Sequence, residues 1–178
     1  MPYTDLLRLS VFLAAGEATV LGAVAAISID RNDSPSLTIL IAAGWWLIAL
    51  VLGLYLGRPA RAADGVRDAL ARARTATSLP AEAPGRIAFG RLWPIGASAL
   101  LAGVLGIFFP GVATIGAGYA LMMALAWRSH EAAVLGVEVR DGVKFYVVPN
   151  SALSPVELVR TPGLSSDRLS SDRLRAMP

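Results

Sequence analysis

Four apolar blocks, at 9–29, 36–57, 92–110 and 111–127, contain no lysine, arginine or aspartate between them and one glutamate, Glu17. Each has about the length needed to cross ~30 Å of hydrocarbon as a helix rising ~1.5 Å per residue. Apolar residues so concentrated are the mark of a chain solvated by lipid. Composition agrees: 55% of residues are hydrophobic and 16% charged, with a mean hydropathy of +0.58, well above the usual balance of a water-soluble domain. The expected fold is an all-α membrane protein of four transmembrane helices, arranged as two hairpins, with a small cytoplasmic β-hairpin after the last helix.

The third and fourth blocks adjoin with no charge between them, and one helix through both would be far too long for a bilayer. Pro110-Gly111 is a strong turn signal at their junction, so a tight hairpin is expected there in preference to a re-entrant pair. Helix two is expected to begin after Ser34-Pro35, a good N-cap followed by a proline whose missing N–H costs nothing in a first turn. Between blocks two and three stand Arg58, Arg61, Arg67, Arg72, Arg74, Arg86 and Arg91, whereas 30–35 holds Arg31 alone and the Pro110 turn holds no charge. By the positive-inside rule the long connection lies in the cytoplasm, and both termini with it. Cleavage of the first block as a signal peptide is disfavoured by its length and by Glu17 within it. Arginine far outnumbers lysine, of which Lys144 is the only one, a bias that together with abundant alanine, glycine and proline suggests a bacterial cell (inner) membrane protein. The chain divides into a first transmembrane hairpin (1–57), a basic cytoplasmic connection (58–91), a second transmembrane hairpin (92–127), a β-hairpin region (128–163) and a flexible tail (164–178) that repeats Ser-Ser-Asp-Arg-Leu.

Within the connection, 59–75 reads as a short helix with Ala62, Ala63, Val66 and Leu70 along one side. It either lies in the headgroup layer, with Arg61, Arg67, Arg72 and Arg74 meeting anionic lipid, or forms a solvated linker. A Pro/Ala linker is expected at 78–85. Past Trp127 the pattern alternates like a strand on both sides of Asp141-Gly142. A two-residue loop would place one strand's polar side against the other's apolar side. A three-residue loop, with Gly142 left-handed, pairs Val139 with Val143, Val137 with Phe145 and Leu135 with Val147, and sets Glu138 opposite Lys144. That register is preferred, and it makes Val137, Val139, Val143, Phe145 and Val147 one apolar face open to a partner. A third strand is expected near 156–160.

Chemistry is sparsely provided for. There is no cysteine and one histidine, His130, so thiolate chemistry and His-rich metal sites are excluded. No Walker loop, GxGxxG, nucleophile elbow or HExxH occurs; no catalytic residue, cofactor or metal is expected, and the enzyme reading is disfavoured. The arginines lack interleaved aromatics and are accounted for by topology, so nucleic acid is not an expected partner. Glu17 is the conspicuous polar residue. An acid at mid-helix costs roughly 2.5 to 3.5 kcal/mol on insertion scales, and no Lys, Arg or His stands within the blocks. It should be neutral and donate a hydrogen bond to Tyr119 or Ser98, or to a water they hold, since these lie at depths of about 12 Å and about 9 Å against its own of about 12 Å.

Small residues recur along three helices at Ala15, Thr19, Gly22 and Ala26, at Gly96, Ala99, Gly103 and Gly106, and at Ala113, Ala117, Ala120 and Ala124. Gly53-x-x-x-Gly57 could serve a dimer. The leading expectation is a non-catalytic membrane module in the lipid bilayer that binds a protein or lipid partner, or a second copy of itself, through its cytoplasmic face. The alternative is a small oligomeric transporter or channel that uses Glu17.

Overall fold

A computed structural model describes residues 1–29, 35–75, 83–152 and 154–162. The elements in chain order are α1 (Tyr3–Ile29), α2 (Pro35–Leu56), α3 (Pro59–Ala71), β1 (Arg74–Thr75), α4 (Pro84–Phe108), α5 (Pro110–Trp127), α6 (His130–Asp141), β2 (Val143–Val147) and β3 (Leu158–Pro162). Four helices are long and apolar enough to cross a membrane. Leu40, Ile41, Leu100 and Phe108 are more than half exposed on their outer surfaces, as suits helices whose surroundings are apolar. The segments 30–34 and 76–82 and the repetitive tail lie outside the described residues.

Four helices, α2 to α5, begin on a proline. Its fixed φ suits a first helical turn, and the N–H it lacks has no partner there in any helix. Phe109 alone separates α4 from α5 and serves as C-cap of one and N-cap of the other, its N–H reaching Leu105 O at 2.8 Å. The expected tight hairpin is present, with Pro110 inside α5 rather than at the end of α4. In addition, α4 begins at Pro84, well before the apolar block, so Pro84-Gly85 forms its first turn instead of ending a linker.

The expected pairing of the first two long helices is not what forms. α5 packs against α1, α2 and α4, and lies between α1 and α2, which barely touch. Glycine explains this placement. A Cβ on Gly57 would stand 2.1 Å from Leu125 O and one on Gly53 2.9 Å from Leu125 Cβ, so both glycines let α2 close on the α5 backbone. Gly53-x-x-x-Gly57 therefore acts within the chain. Higher up, Gly118 leaves room for Trp45, whose indole N–H donates to Ile115 O at 3.3 Å, while Trp46 donates to Thr114 O at 3.0 Å. The stripe Ala113, Ala117, Ala120, Ala124 is the buried face of α5. The α1 stripe at Ala15, Thr19 and Ala26 is exposed.

At one end of the bundle sits a cap. Its core joins Tyr3 and Leu6 of α1, Val66 of α3, Ile87 of α4, Val134 of α6, Phe145 and Val147 of β2, and Leu158 of β3. The face of α3 read as headgroup-seeking or solvated instead buries Ala62 and Val66 in the protein, where α3 packs on α6. Ser129 Oγ ties the start of α6 to Gly57 O at 2.7 Å, and Arg8 pairs with Glu131 across α1 and α6.

The expected β-hairpin is corrected here: its first arm is the helix α6. Gly142 is left-handed (φ 62°, ψ 34°), as expected, but it ends a helix, its N–H bonding Glu138 O. β2 pairs antiparallel with β3, with Phe145 opposite Arg160 and Val147 opposite Leu158. β1 adds in parallel beyond β3 for an order β1-β3-β2. The outer edge of β2 is closed by the chain itself, since Phe145 N–H donates to Glu138 Oε1 at 3.0 Å and Val147 N–H to Met1 O at 3.0 Å. Arg91 holds the loop between β2 and β3 by donating to Ser151 O and Ser154 O, each at 2.8 Å.

Candidate functional site

The cap contains a cleft of about 330 Å³ between α3, α6 and the sheet. Its floor is apolar, built from Val66, Leu70, Ala133, Val137 and Phe145, and its rim carries Arg67, Arg140, Arg160 and Asp141. Local sequence places each group. Ala63, Val66, Arg67 and Leu70 recur at helical spacing and so share one face of α3. Ala133, Val137 and Arg140 do the same on α6. Arg160 stands opposite Phe145 in the β2–β3 register, which puts both side chains on the same face of the sheet. Arg67 lies 3.4 Å from Asp64, and Arg140 donates to Asp141 at 2.8 Å. Arg140, helped by the charge of Arg160, holds the Asp141 carboxyl below the usual carboxylate range. Three guanidiniums against one lining carboxylate leave the rim positive, over a floor that can take apolar matter.

The five valine and phenylalanine positions expected to form one exposed face are divided. Phe145 and Val147 are 3% and 0% exposed, covered by the chain's own helices, and Val143 and Val137 pack partly buried against the same core. Val139 is 82% exposed on the far side of α6. A helix turns successive side chains by about 100°, so Val137 and Val139 cannot share a face as they would on a strand. Of the four arginines expected at a membrane surface, only Arg67 reaches the cleft. Arg61 stacks with Arg58 over the Tyr55 ring at 4.5 and 4.6 Å and donates to its hydroxyl at 3.2 Å. Arg72 closes the C-terminal end of α3 on Asp68 O at 3.0 Å, and Arg74 lies in β1.

No family model, curated protein or solved structure matches this chain. Its own geometry must carry the functional reading.

Glu17 lies in a second concavity, a groove of about 530 Å³ between α1 and α4. It therefore faces the third long helix, but the expected acceptors do not meet it. Ser98 Oγ donates to Ile95 O at 2.8 Å, one turn back on its own helix, and Tyr119 is 55% exposed on α5. Of Arg140 and Arg160, the cleft residues missed from the sequence, only Arg140 carried a usable signal. Glu131 in the first turn, Arg140 in the last and Gly142 just past the end compose a helix with its charges and stop in place. Among the described residues no group of three acids, histidines or cysteines could hold a metal ion.

Proposed function

We infer that this chain is a non-catalytic, multi-pass membrane module whose cap binds the headgroup of an anionic lipid in the cleft between α3 and α6. The observation that carries the reading is the rim of Arg67, Arg140 and Arg160 above an apolar floor. Guanidinium groups recognise phosphate through paired N–H donors, and the floor accommodates the glycerol and first methylenes of a lipid. Only two residues separate the end of α2 from the start of α3, which keeps the cleft close to the membrane plane. A lipid bound there would tie α3 to α6 and so set the cap's position on the bundle.

The test is thermal unfolding of the purified full chain with short-chain phosphatidylglycerol or phosphatidylcholine. Phosphatidylglycerol is expected to stabilise the native protein, by about 2.7 kcal/mol at a hundred times its Kd. Phosphatidylcholine should do much less, and the combined Arg67→Gln, Arg140→Gln and Arg160→Gln variant should lose the difference. Equal stabilisation by both lipids, or an undiminished effect in the variant, would discard the reading.

The same module reading places the cap in the cytoplasm of a bacterial inner-membrane protein, because arginines crowd the connection on that side. Reporter fusions before residue 1 and after residue 162 should both behave as cytoplasmic. Opposite behaviour of the two ends would mean an odd number of crossings.

A further inference from the structure

We propose that the groove between α1 and α4 is a lateral binding site for an amphiphilic organic cation, with Glu17 as its counter-ion. The inference rests on the membrane-inserted reading of the four helices, which the reporter fusions test separately, and not on the cap cleft. Its volume of about 530 Å³ falls in the range of small-molecule sites. Phe12, Val20, Leu100 and Val104 give it apolar walls, while Gly16 and Gly96 keep it open, since a Cβ at either would meet nothing within 4 Å. Glu17 lines this space near the middle of the span Tyr3–Ser28. It makes no hydrogen bond or ion pair among the described residues, so it does not fasten α1 to the bundle.

The groove's own chemistry selects the occupant. An inorganic cation such as Ca²⁺ or Mg²⁺ requires several oxygen ligands, and Glu17 is the one carboxylate lining the groove. A second copy of this chain would offer no cation at that depth, because the four apolar blocks contain no Lys, Arg or His. An anion would meet a carboxylate and no donor side chain. A cation dispersed over an apolar body satisfies both features, since its charge meets the acid in a medium of low dielectric and its body covers the walls.

Tetraphenylphosphonium is a suitable probe. The purified full chain, in a neutral maltoside detergent and mildly alkaline buffer, should bind one equivalent saturably, followed by calorimetry. Glu17→Gln should weaken binding at least tenfold, and the neutral analogue triphenylphosphine oxide should fail to compete. Gly96→Leu keeps the acid and fills the groove, so it should weaken binding similarly, and it decides the matter if Glu17→Gln misfolds by circular dichroism. Absence of saturable binding to the native chain, equal binding by Glu17→Gln, or effective competition by the neutral analogue would each overturn the proposal.

Discussion

Replacing Gly57, the residue just past the end of α2, by alanine is expected to force α2 away from α5 and to lower the unfolding midpoint of the purified protein more than Gly44→Ala or Gly53→Ala within α2. The new Cβ would fall 2.1 Å from Leu125 O, and the obstacle is backbone, which cannot rotate aside as the end of a side chain can. Overpacking of this kind costs about 1–3 kcal/mol and occasionally more. Ser129 adds to the loss, because its hydroxyl bonds the Gly57 carbonyl and would be drawn along with the displaced chain. Gly44→Ala supplies the comparison: a Cβ there meets nothing within 4 Å, and alanine improves helix propensity by up to ~1 kcal/mol. If Gly57→Ala unfolds at the same point as Gly44→Ala, the α2–α5 contact is not as described.

The second large effect belongs to Phe145. Truncation to alanine removes a ring from the centre of the cap and should cost about 3–5 kcal/mol of the cap's stability. Phe145 belongs to the same buried core as Val66, Val134, Val147 and Leu158. Val139→Ala, on an 82% exposed position of α6, should change stability by no more than about 0.5 kcal/mol. Hydrogen exchange of the β2–β3 amides, measured for both variants, separates cap loosening from global unfolding. A partner-binding hairpin face would give the opposite pattern, with both variants folded and both impaired only in binding.

These two residues also show where sequence reading succeeds and where it stops. The four long helices were legible because hydrophobic length is a local property, and the starts of α2 at Pro35 and α3 at Pro59 because proline at a first turn is a local steric preference, whereas the starts of α4 at Pro84 and α5 at Pro110 were not. Gly142 was legible as a left-handed position, yet its context was misread. Val137, Val139, Val143, Phe145 and Val147 alternate along the chain, and β-branched residues favour strands, but His130–Asp141 also fits a helix with a buried Val134. Two things favour the helix: it follows α5 almost at once, so the cap elements are already gathered at that end, and its Val134 face meets Val66 of α3. The strand that pairs with β2 came instead from Leu158–Pro162, overlapping the segment 156–160 read as a third strand.

The candidate site was less legible than the fold. Arg67 was marked for charge alone, and Arg160 drew no attention, since the two meet only after α3, α6 and β3 have assembled. Glu17 stood out from the sequence because an acid in a hydrocarbon-length block is costly wherever that block packs. Its surroundings did not, because depth follows from counting residues whereas the facing side of a helix depends on its rotation. The sequence by itself determined four membrane-length helices, the proline starts of α2 and α3, a tight turn beside Pro110 and the single acid within the apolar blocks. Only the tertiary structure decided that α5 lies between α1 and α2, that 130–141 is helical, and that the cleft and the Glu17 groove exist. Those outcomes depend on close contacts between residues far apart in the chain, at Gly57 with Leu125 and at Val66 with Val134, which no local pattern encodes.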